Sequence, residues 1–234
     1  MPNGLSTVRL KALPWITYVN IAYRGKRMVS ILKIADDDDL QNAVDTANAY
    51  LRSGGVIVYP TDTVYGIGCD ANSREALAKV HKIKRIAKEK PFSVMMSDIA
   101  MIEGYCDIGP GEEMILSKYL PGPYTFLLKS KGLCPASNNE KLGVRIPDSR
   151  ICQALCAKLD RPIVTTSANM TGGEPPARFE DIDKKLIEAV GVAIDEGETK
   201  HGGPSVIIDL VERKMIREGG ESMDLDELLR IGQE

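Results

Sequence analysis

The sequence predicts an α/β protein built as a single domain, in which helices cover the faces of a twisted mixed sheet. Short apolar runs rich in β-branched residues alternate with longer runs whose apolar residues recur at helical spacing, which is typical of this architecture. The 234 residues are 43% hydrophobic and 27% charged, which provides enough apolar surface for one substantial core. No repeat, low-complexity linker or change of composition divides residues 28–234, so we expect them to form one domain.

The first 27 residues differ in charge from the rest of the chain. They contain five basic residues and no acidic one. Their run LPWITYVNIAY is too short and too polar to span a bilayer, and the basic residues do not precede a clean apolar core as they would in a secretory signal. We therefore expect residues 1–27 to be a basic extension that is either upstream of a translation start at Met28 or poorly ordered, and we expect no membrane contact.

The first elements of the predicted domain follow Met28 directly. VSILKI predicts a strand, and DDDDLQNAVDTANAYLRSGG predicts a helix because its apolar residues share one face, aspartates begin it and Gly54 follows it. GGVIVYP predicts a buried strand, and residues 73–87 predict a second helix.

The remaining elements continue the alternation, and we expect most of the strands to run parallel. Further strands are predicted at FSVMM, YTFLLK, LGVRIP, PIVTTSAN, GVAID and SVIIDL. Further helices are predicted before KYLPG, at SRICQALCAKL, from Arg178 and at DLDELLRI.

Composition excludes several kinds of functional site. The net charge of -3 and the pI of about 5.6 mean that any site for a polyanion must be a local patch. Five cysteines without a CxxC pair argue against a disulfide framework and against a thiolate zinc site, and indicate a reduced, cytoplasmic protein. Only His81 and His201 are available as imidazole groups, so we expect no histidine-rich metal centre.

Polar residues follow the buried strand GGVIVYP, where Thr61, Asp62, Thr63 and Tyr65 occur in quick succession. Ligands of open α/β sheets bind at the carboxyl ends of strands, so these residues are candidates for a site. The alternative interpretation is a turn in which Asp62 and a threonine bond local backbone groups.

Similar residues occur near the ends of other predicted strands. The phosphate-binding loops GxxxxGK[ST] and GxGxxG are both absent from the sequence. Hydroxyl and amide side chains occur instead at Thr125, within TTSAN and at Ser205, and Arg145 and Arg217 add positive charge. Together they suit a ligand with phosphates and a carboxylate, because arginine binds planar oxyanions through paired hydrogen bonds. A strand arginine could instead pair with a structural carboxylate.

The second predicted helix and the segment after it are the most basic part of the sequence. We expect Lys79, Lys82 and Arg85 on the outward face of this helix, with Lys84 and Lys90 close by. This patch supports an alternative function, the binding of tRNA or double-stranded RNA with weak or no enzymatic activity.

Six blocks of the sequence resemble, in order and spacing, the YrdC-like family of threonylcarbamoyl-AMP synthases. The resemblance covers nearly all of the chain from Met28 to about Gly220, and the blocks are GGVIVYPTDTVYGIGCDA, HKIKRIAKEKPFSVMMSD, YLPGPYTFLL, LGVRIPD, PIVTTSANMTGGEPP and GGPSVIIDL.

The resemblance implies a fold and a reaction. The family fold is a twisted α/β sheet shared with dihydroxybutanone-phosphate synthase. The implied reaction is a nucleotidyl transfer in which L-threonine, bicarbonate and ATP with Mg2+ give L-threonylcarbamoyl-AMP and pyrophosphate. A downstream transferase then modifies tRNA.

The resemblance also implies roles for individual residues. The residues implied to act in catalysis are Lys84, Ser167 and Asn169. Those implied to contact threonine are Thr61, Arg145, Ser167 and Ser205, with Arg145 holding the carboxylate. Those implied to contact ATP are Lys84, Arg85, Thr125, Asn169 and Arg217. No metal ligand is implied within the protein.

The sequence departs from the family pattern at two places. The family commonly has K-x-R-P, whereas this chain has Ile86 and Ala87 where the arginine and proline would fall. It also has Met95 and Met96 where a histidine often follows the strand. These features resemble the YciO-like branch, while the retained SAN resembles the synthases.

Overall fold

The computed structural model of the protein describes residues 29–138 and 140–232. The predicted extension over residues 1–27 and the start at Met28 lie outside the described residues. Within those residues, no helix is both long and apolar enough to cross a membrane.

Helices and strands alternate over part of the chain, and strands follow one another directly at β2–β3, β6–β7, β8–β9 and β10–β12. The strands are β1 (Ser30–Lys33), β2 (Ile57–Tyr59), β3 (Gly66–Gly68), β4 (Val94–Met95), β5 (Cys106–Asp107), β6 (Tyr124–Ser130), β7 (Lys141–Arg145), β8 (Ile163–Val164), β9 (Thr166–Ser167), β10 (Val192–Asp195), β11 (Val206–Asp209) and β12 (Lys214–Arg217). The α-helices are α1 (Asp37–Arg52), α2 (Arg74–Lys84), α3 (Ile99–Tyr105), α4 (Pro110–Tyr119), α5 (Arg150–Leu159), α6 (Lys184–Ile187) and α7 (Leu225–Ile231), and a 3-10 helix covers Phe179–Asp181.

The strands form two mixed sheets. One has the order β1-β10-β2-β3-β9, and the other has the order β12-β11-β6-β7-β4-β8 with β5 beside β6. The expectation of mostly parallel strands was wrong, because the parallel pairs are β1–β10, β10–β2, β11–β6 and β4–β7 and the other six pairs among the described strands are antiparallel. The connections from β2 to β3 and from β6 to β7 have no helix, and such short links favour antiparallel pairing.

The first sheet is buried on both faces. Along β2, Ile57 and Tyr59 pack in one apolar cluster with α1 and α5, whereas Val58 packs in a second cluster that also contains residues of the other sheet. Alternate strand residues point to opposite faces, so the continuous apolar run GGVIVYP reflects this two-sided burial.

Local sequence signals explain where the main helices begin and end. The Asp36 side chain accepts a hydrogen bond from the Asp39 amide at the start of α1, and the Ser73 side chain caps α2 in the same way. The predicted second helix ran to residue 87, but α2 ends at Lys84 because Arg85 adopts a left-handed conformation with φ of 55°. The strands β3, β5 and β12 and the helix α3 were missed, and β3, which consists of Gly-Ile-Gly, lacks the run of β-branched residues that predicts a strand.

The predicted strand PIVTTSAN is divided between the two sheets. Its first part, β8, pairs with β4, and its second part, β9, pairs with β3. The sheets meet there through backbone bonds from the Val164 amide to the Cys69 carbonyl at 2.9 Å and from the Ala71 amide to the Pro162 carbonyl at 3.0 Å. A Cβ atom on Gly68 would lie 1.9 Å from the carbonyl oxygen of Val164, so this close approach requires glycine.

The substitution Gly68→Ala tests this junction. We expect it to lower the free energy of unfolding by about 2 kcal/mol or more, because the Val164 backbone would have to move to admit the new methyl group. Urea unfolding at equilibrium measures the change.

The matched control is Gly104→Ala in α3, where an added Cβ atom would have no atom within 4 Å. It should leave the free energy of unfolding unchanged or raise it by up to about 1 kcal/mol. Equal midpoints for the two variants would contradict the proposed role of Gly68.

Candidate active site

The structure brings eight of the nine predicted site residues to one cavity of about 610 Å³, which we call the central cavity. It is lined by the β2–β3 loop and β9 from the first sheet, by strands of the second sheet and by the end of α2. The eight residues are Thr61, Lys84, Thr125, Arg145, Ser167, Asn169, Ser205 and Arg217. Arg85 does not line this cavity.

Thr61 organises the loop between β2 and β3. Its Oγ1 atom accepts hydrogen bonds from the Thr63 and Val64 amides at 3.1 and 3.2 Å and donates to the Val64 carbonyl at 2.7 Å. This confirms the threonine part of the turn offered as an alternative interpretation, but the part given to Asp62 was wrong, because its carboxylate bonds Arg145 and the Asp148 amide and no local backbone group. Thr61 is buried, yet it also contributes to the cavity wall, so both interpretations describe the same residue.

Tyr65 is held away from solvent at the end of the same loop. Its ring is fully buried, and its hydroxyl donates to the Gly197 carbonyl at 2.7 Å. Burial raises the pKa of Tyr65 above its ordinary value. The same hydroxyl accepts from the Glu196 amide at 3.2 Å, so Tyr65 supports the loop through packing and two hydrogen bonds to the backbone.

Arg145 forms a buried ion pair with Asp62 at the end of β7. One terminal nitrogen lies 2.5 Å from the Asp62 carboxylate, and the other donates to Thr63 Oγ1 at 3.0 Å. The Arg145 and Asp62 side chains are 6% and 0% exposed. The interpretation that a strand arginine pairs with a structural carboxylate is thus confirmed for Arg145, although the residue also lines the cavity.

Of the remaining polar atoms of Asp62 and Arg145, one has a hydrogen-bond partner and one has none. The second oxygen of Asp62 accepts from the Asp148 amide at 3.2 Å. The Arg145 Nε atom is buried and has no hydrogen-bond partner among the described residues. An unpaired buried donor is costly, so this nitrogen partly offsets the stabilisation that the other bonds of Arg145 provide.

Lys84 points inward from the last residue of α2. Its ammonium group donates to the carbonyls of Ser167 and Asn169 at 2.6 and 2.8 Å and to Asn169 Oδ1 at 3.1 Å. These three acceptors use all three of its N–H donors. Burial, together with the nearby Lys90, lowers the pKa of Lys84 to about 8. Lys84 is therefore placed to hold the TTSAN segment.

The segment from Ser167 to Gly173 is closed by its own hydrogen bonds. Ser167 Oγ donates to Asn169 Oδ1 at 2.6 Å, and the Asn169 amide group donates to the Gly173 carbonyl. Thr171 Oγ1 donates to the Lys84 carbonyl at 2.8 Å, so the segment and the end of α2 bind each other in both directions.

Thr125, Ser205 and Arg217 meet on the second sheet. Parallel pairing of β6 and β11 brings the two hydroxyl oxygens within 2.9 Å of each other. Arg217 donates to the Ser205 carbonyl at 2.7 and 3.1 Å and to Ser205 Oγ at 3.1 Å. Burial and the charge of Arg145 lower the pKa of Arg217. Burial is the larger cause, and the charge of Arg145 adds to it because both arginines line the same cavity.

Other lining residues had not been assigned to the site from sequence. Lys90 belonged to the basic patch, while Phe92, Ser93, Ile207 and Ile216 had no polar pattern or motif that singled them out. Ile86 also lines the cavity, where the family pattern would place an arginine. Among the described residues, no group of three or more His, Cys, Asp or Glu side chains could hold a metal ion.

Comparison with known families assigns the chain to one of them. The model of the family Sua5_yciO_yrdC, described as "Telomere recombination", matches residues 49–219. The chain belongs to this Sua5/YciO/YrdC family. The match includes all nine predicted site residues.

A curated relative and a solved structure of the family resemble the chain over most of their own length. A putative threonylcarbamoyl-AMP synthase of Methanocaldococcus jannaschii is 35% identical over 194 residues, which are 81% of this chain and 92% of that protein. The crystal structure of E. coli YciO is 28% identical with a TM-score of 0.76, covering 85% of this chain and 99% of that one.

A third member of the family has been solved with a ligand. The crystal structure of P. abyssi Sua5 complexed with L-threonine is 26% identical with a TM-score of 0.75. The similarity covers 86% of this chain and 59% of that chain. The present chain therefore spans less than two thirds of the length of that Sua5.

Removing the charge of Asp62 tests the buried pair. We expect Asp62→Asn to lower the free energy of unfolding by about 3–5 kcal/mol, because it leaves the Arg145 guanidinium buried without a counter-charge. The exposed pair of Asp37 and Arg150, with side chains 83% and 73% exposed, provides the control. Asp37→Asn should change the free energy of unfolding by less than about 1 kcal/mol. Equal losses of stability in the two variants would contradict a special role for the buried pair.

The lowered pKa of Lys84 predicts a pH-dependent contribution to stability. The folded protein releases this proton near pH 8, whereas the unfolded chain keeps it up to about 10.5. The unfolded state therefore binds more protons between these values, so this group makes the free energy of unfolding rise with pH there.

Urea unfolding of the wild type and Lys84→Met from pH 7 to pH 10 measures this effect. The difference between the two, wild type minus variant, should increase above pH 8. A difference that is constant or falls across this range would show that the ammonium group is not destabilised by burial.

Proposed function

We propose that the protein synthesises L-threonylcarbamoyl-AMP from L-threonine, bicarbonate and Mg-ATP and releases pyrophosphate, a nucleotidyl transfer. The observation that carries the proposal is the meeting of eight predicted ligand-contacting residues in the central cavity of a chain that belongs to this family. The names of the M. jannaschii relative and of the threonine complex of P. abyssi Sua5 support threonine as a substrate.

In this proposal the cavity acts by orienting the reactants and stabilising charge. Arg217 and Lys90 supply positive charge for the phosphates, and the hydroxyls of Thr125 and Ser205 supply neutral hydrogen bonds. Arg145 lines the same cavity, and in this proposal its guanidinium group holds the carboxylate of threonine. The amine of threonine combines with bicarbonate to give a carbamate with loss of water, and the carbamate oxygen then attacks the α-phosphate of ATP and displaces pyrophosphate. Holding the carbamate oxygen and the α-phosphate in line supplies much of the rate enhancement of a nucleotidyl transfer.

Lys84 has a positioning role in this proposal. Its three donors hold the backbone of Ser167 and Asn169 together with Asn169 Oδ1, so the lysine fixes the segment that faces substrate and nucleotide. A direct contact with ATP phosphates would require Lys84 to give up at least one of these bonds.

The product would serve tRNA modification. An acyl adenylate is reactive, and we propose that a downstream transferase in the cytoplasm moves the threonylcarbamoyl group to tRNA. The alternative predicted from the sequence, tRNA or double-stranded RNA binding with weak or no synthase activity, stays a prediction. The similarity to E. coli YciO, an uncharacterized protein by name, covers 82% of this chain and is compatible with either function.

Threonine-dependent pyrophosphate release from ATP, with Mg2+ and bicarbonate, tests the proposal. Wild-type protein should release pyrophosphate, and Arg217→Met and Asn169→Ala should each reduce the rate at least about tenfold, since a charged hydrogen bond contributes about 1.5–3 kcal/mol. Lys214→Met, on the same strand as Arg217 but outside the cavity, should keep the wild-type rate.

The opposite result would favour RNA binding. No release with threonine or other amino acids, from folded protein that binds tRNA with steep salt dependence, would contradict the synthase proposal.

A further inference from the structure

A second cavity lies against the central cavity and has not been given a role. It measures about 890 Å³ and is bounded by the C-terminal ends of α1 and α2 and by α6. We call it the basic cleft. Lys84 and Thr171 line both cavities, so the end of α2 and the segment after Asn169 separate them.

The basic cleft carries several positive charges that no described acidic residue neutralises. Lys82, Arg85 and Lys185 line it, are exposed, and form no ion pair with another described residue. Among the described lining residues, Asp183 is the one acid, and its carboxylate accepts from the Lys185 amide. Lys79 adds a further cation, which forms an ion pair with Glu75. The field inside the cleft is therefore strongly positive.

Helix electrostatics explain only part of this arrangement. Cations in the last turn of α2 are stabilised by the negative end of the helix dipole, which accounts for Lys82. Lys185 belongs to a different helix, α6. Arg85 occupies the left-handed position after α2, with φ of 55°, where glycine would cost less. Two elements thus direct unpaired cations toward one space.

The walls between the cations are apolar. Tyr50, Ile83 and Leu186 contribute to them, so the cleft combines a hydrophobic surface with a few charged groups. Its volume lies in the range of small-molecule sites, and this combination of walls is typical of such sites.

We propose that the basic cleft binds a small ligand that carries two or three linked phosphate groups, at a site separate from the central cavity. Linked phosphates concentrate several negative charges within the span of one pocket and match cations on facing helices. A nucleic-acid backbone spreads its charges along an extended strand, which suits a concave and partly apolar cleft less well. An occupant would lie beside Lys84, the residue that holds Ser167 and Asn169.

Inorganic tripolyphosphate is the probe, and backbone amide NMR shifts of the full chain locate where it binds. We expect tripolyphosphate to shift signals of Gly54, Leu186 and Ala189, which line the basic cleft. The double variant Lys82→Met/Lys185→Met should weaken this binding at least about tenfold, because a hydrogen bond to a charged group contributes about 1.5–3 kcal/mol. Arg217→Met, in the central cavity, should leave it unchanged.

Four outcomes would overturn the proposal. Shifts confined to the central cavity, or equal affinity in the double variant, would show that the cleft is not the site. Equal affinity of the cleft for sulfate and for tripolyphosphate would show that the cleft does not prefer linked phosphates. A short RNA without terminal phosphates that shifts the cleft signals, while tripolyphosphate does not, would identify a nucleic-acid surface instead. Both substituted lysines are exposed, so the double variant should keep the wild-type unfolding midpoint.

Discussion

The contact between the two sheets at Gly68 and Val164 is the constraint on which the site depends. The backbones approach so closely there that no Cβ atom fits, and the Val164 amide bonds to the Cys69 carbonyl. Immediately afterwards the chain leaves the second sheet and pairs with the first at β9. The TTSAN segment therefore passes through the junction, and its polar residues face the cavity lined by both sheets.

Buried charges then fix the groups around that junction. Asp62 and Arg145 connect the loop after β2 to the end of β7, and Lys84 connects α2 to the TTSAN segment. Such groups are costly to bury, and they persist when hydrogen bonds compensate the lost hydration. The benefit is a site whose donors and acceptors are oriented before a ligand arrives, which is the requirement for electrostatic stabilisation of developing charge.

The end of α2 distributes three consecutive residues among different environments. Lys84 turns inward to the TTSAN segment, Arg85 lies in the basic cleft, and Ile86 lines the central cavity. The left-handed conformation of Arg85 ends the helix and redirects the chain. In a family that commonly has an arginine and a proline where this chain has Ile86 and Ala87, this arrangement leaves the cations of the central cavity to Lys84, Lys90, Arg145 and Arg217.

The sequence by itself determined most of the elements and eight of the residues that line the central cavity. Periodicity and helix capping depend on neighbours within a few residues, so a sequence can show them directly. They account for the buried strand at GGVIVYP, the caps of α1 and α2 and the hydroxyl residues near strand ends. The resemblance of the six blocks named eight residues that the structure brings to one cavity. The sequence also presented both interpretations of Thr61 and Arg145 without deciding between them.

Only the tertiary structure decided how those residues are used. The number of sheets, the division of PIVTTSAN at Thr165 and the pairing of Arg145 with Asp62, 83 residues away, depend on contacts between distant segments. The same holds for Lys84, which a helical pattern placed near an outward face and which is 5% exposed in the structure. No local pattern encodes such contacts, because their free energy arises only when the sheets and helices pack together.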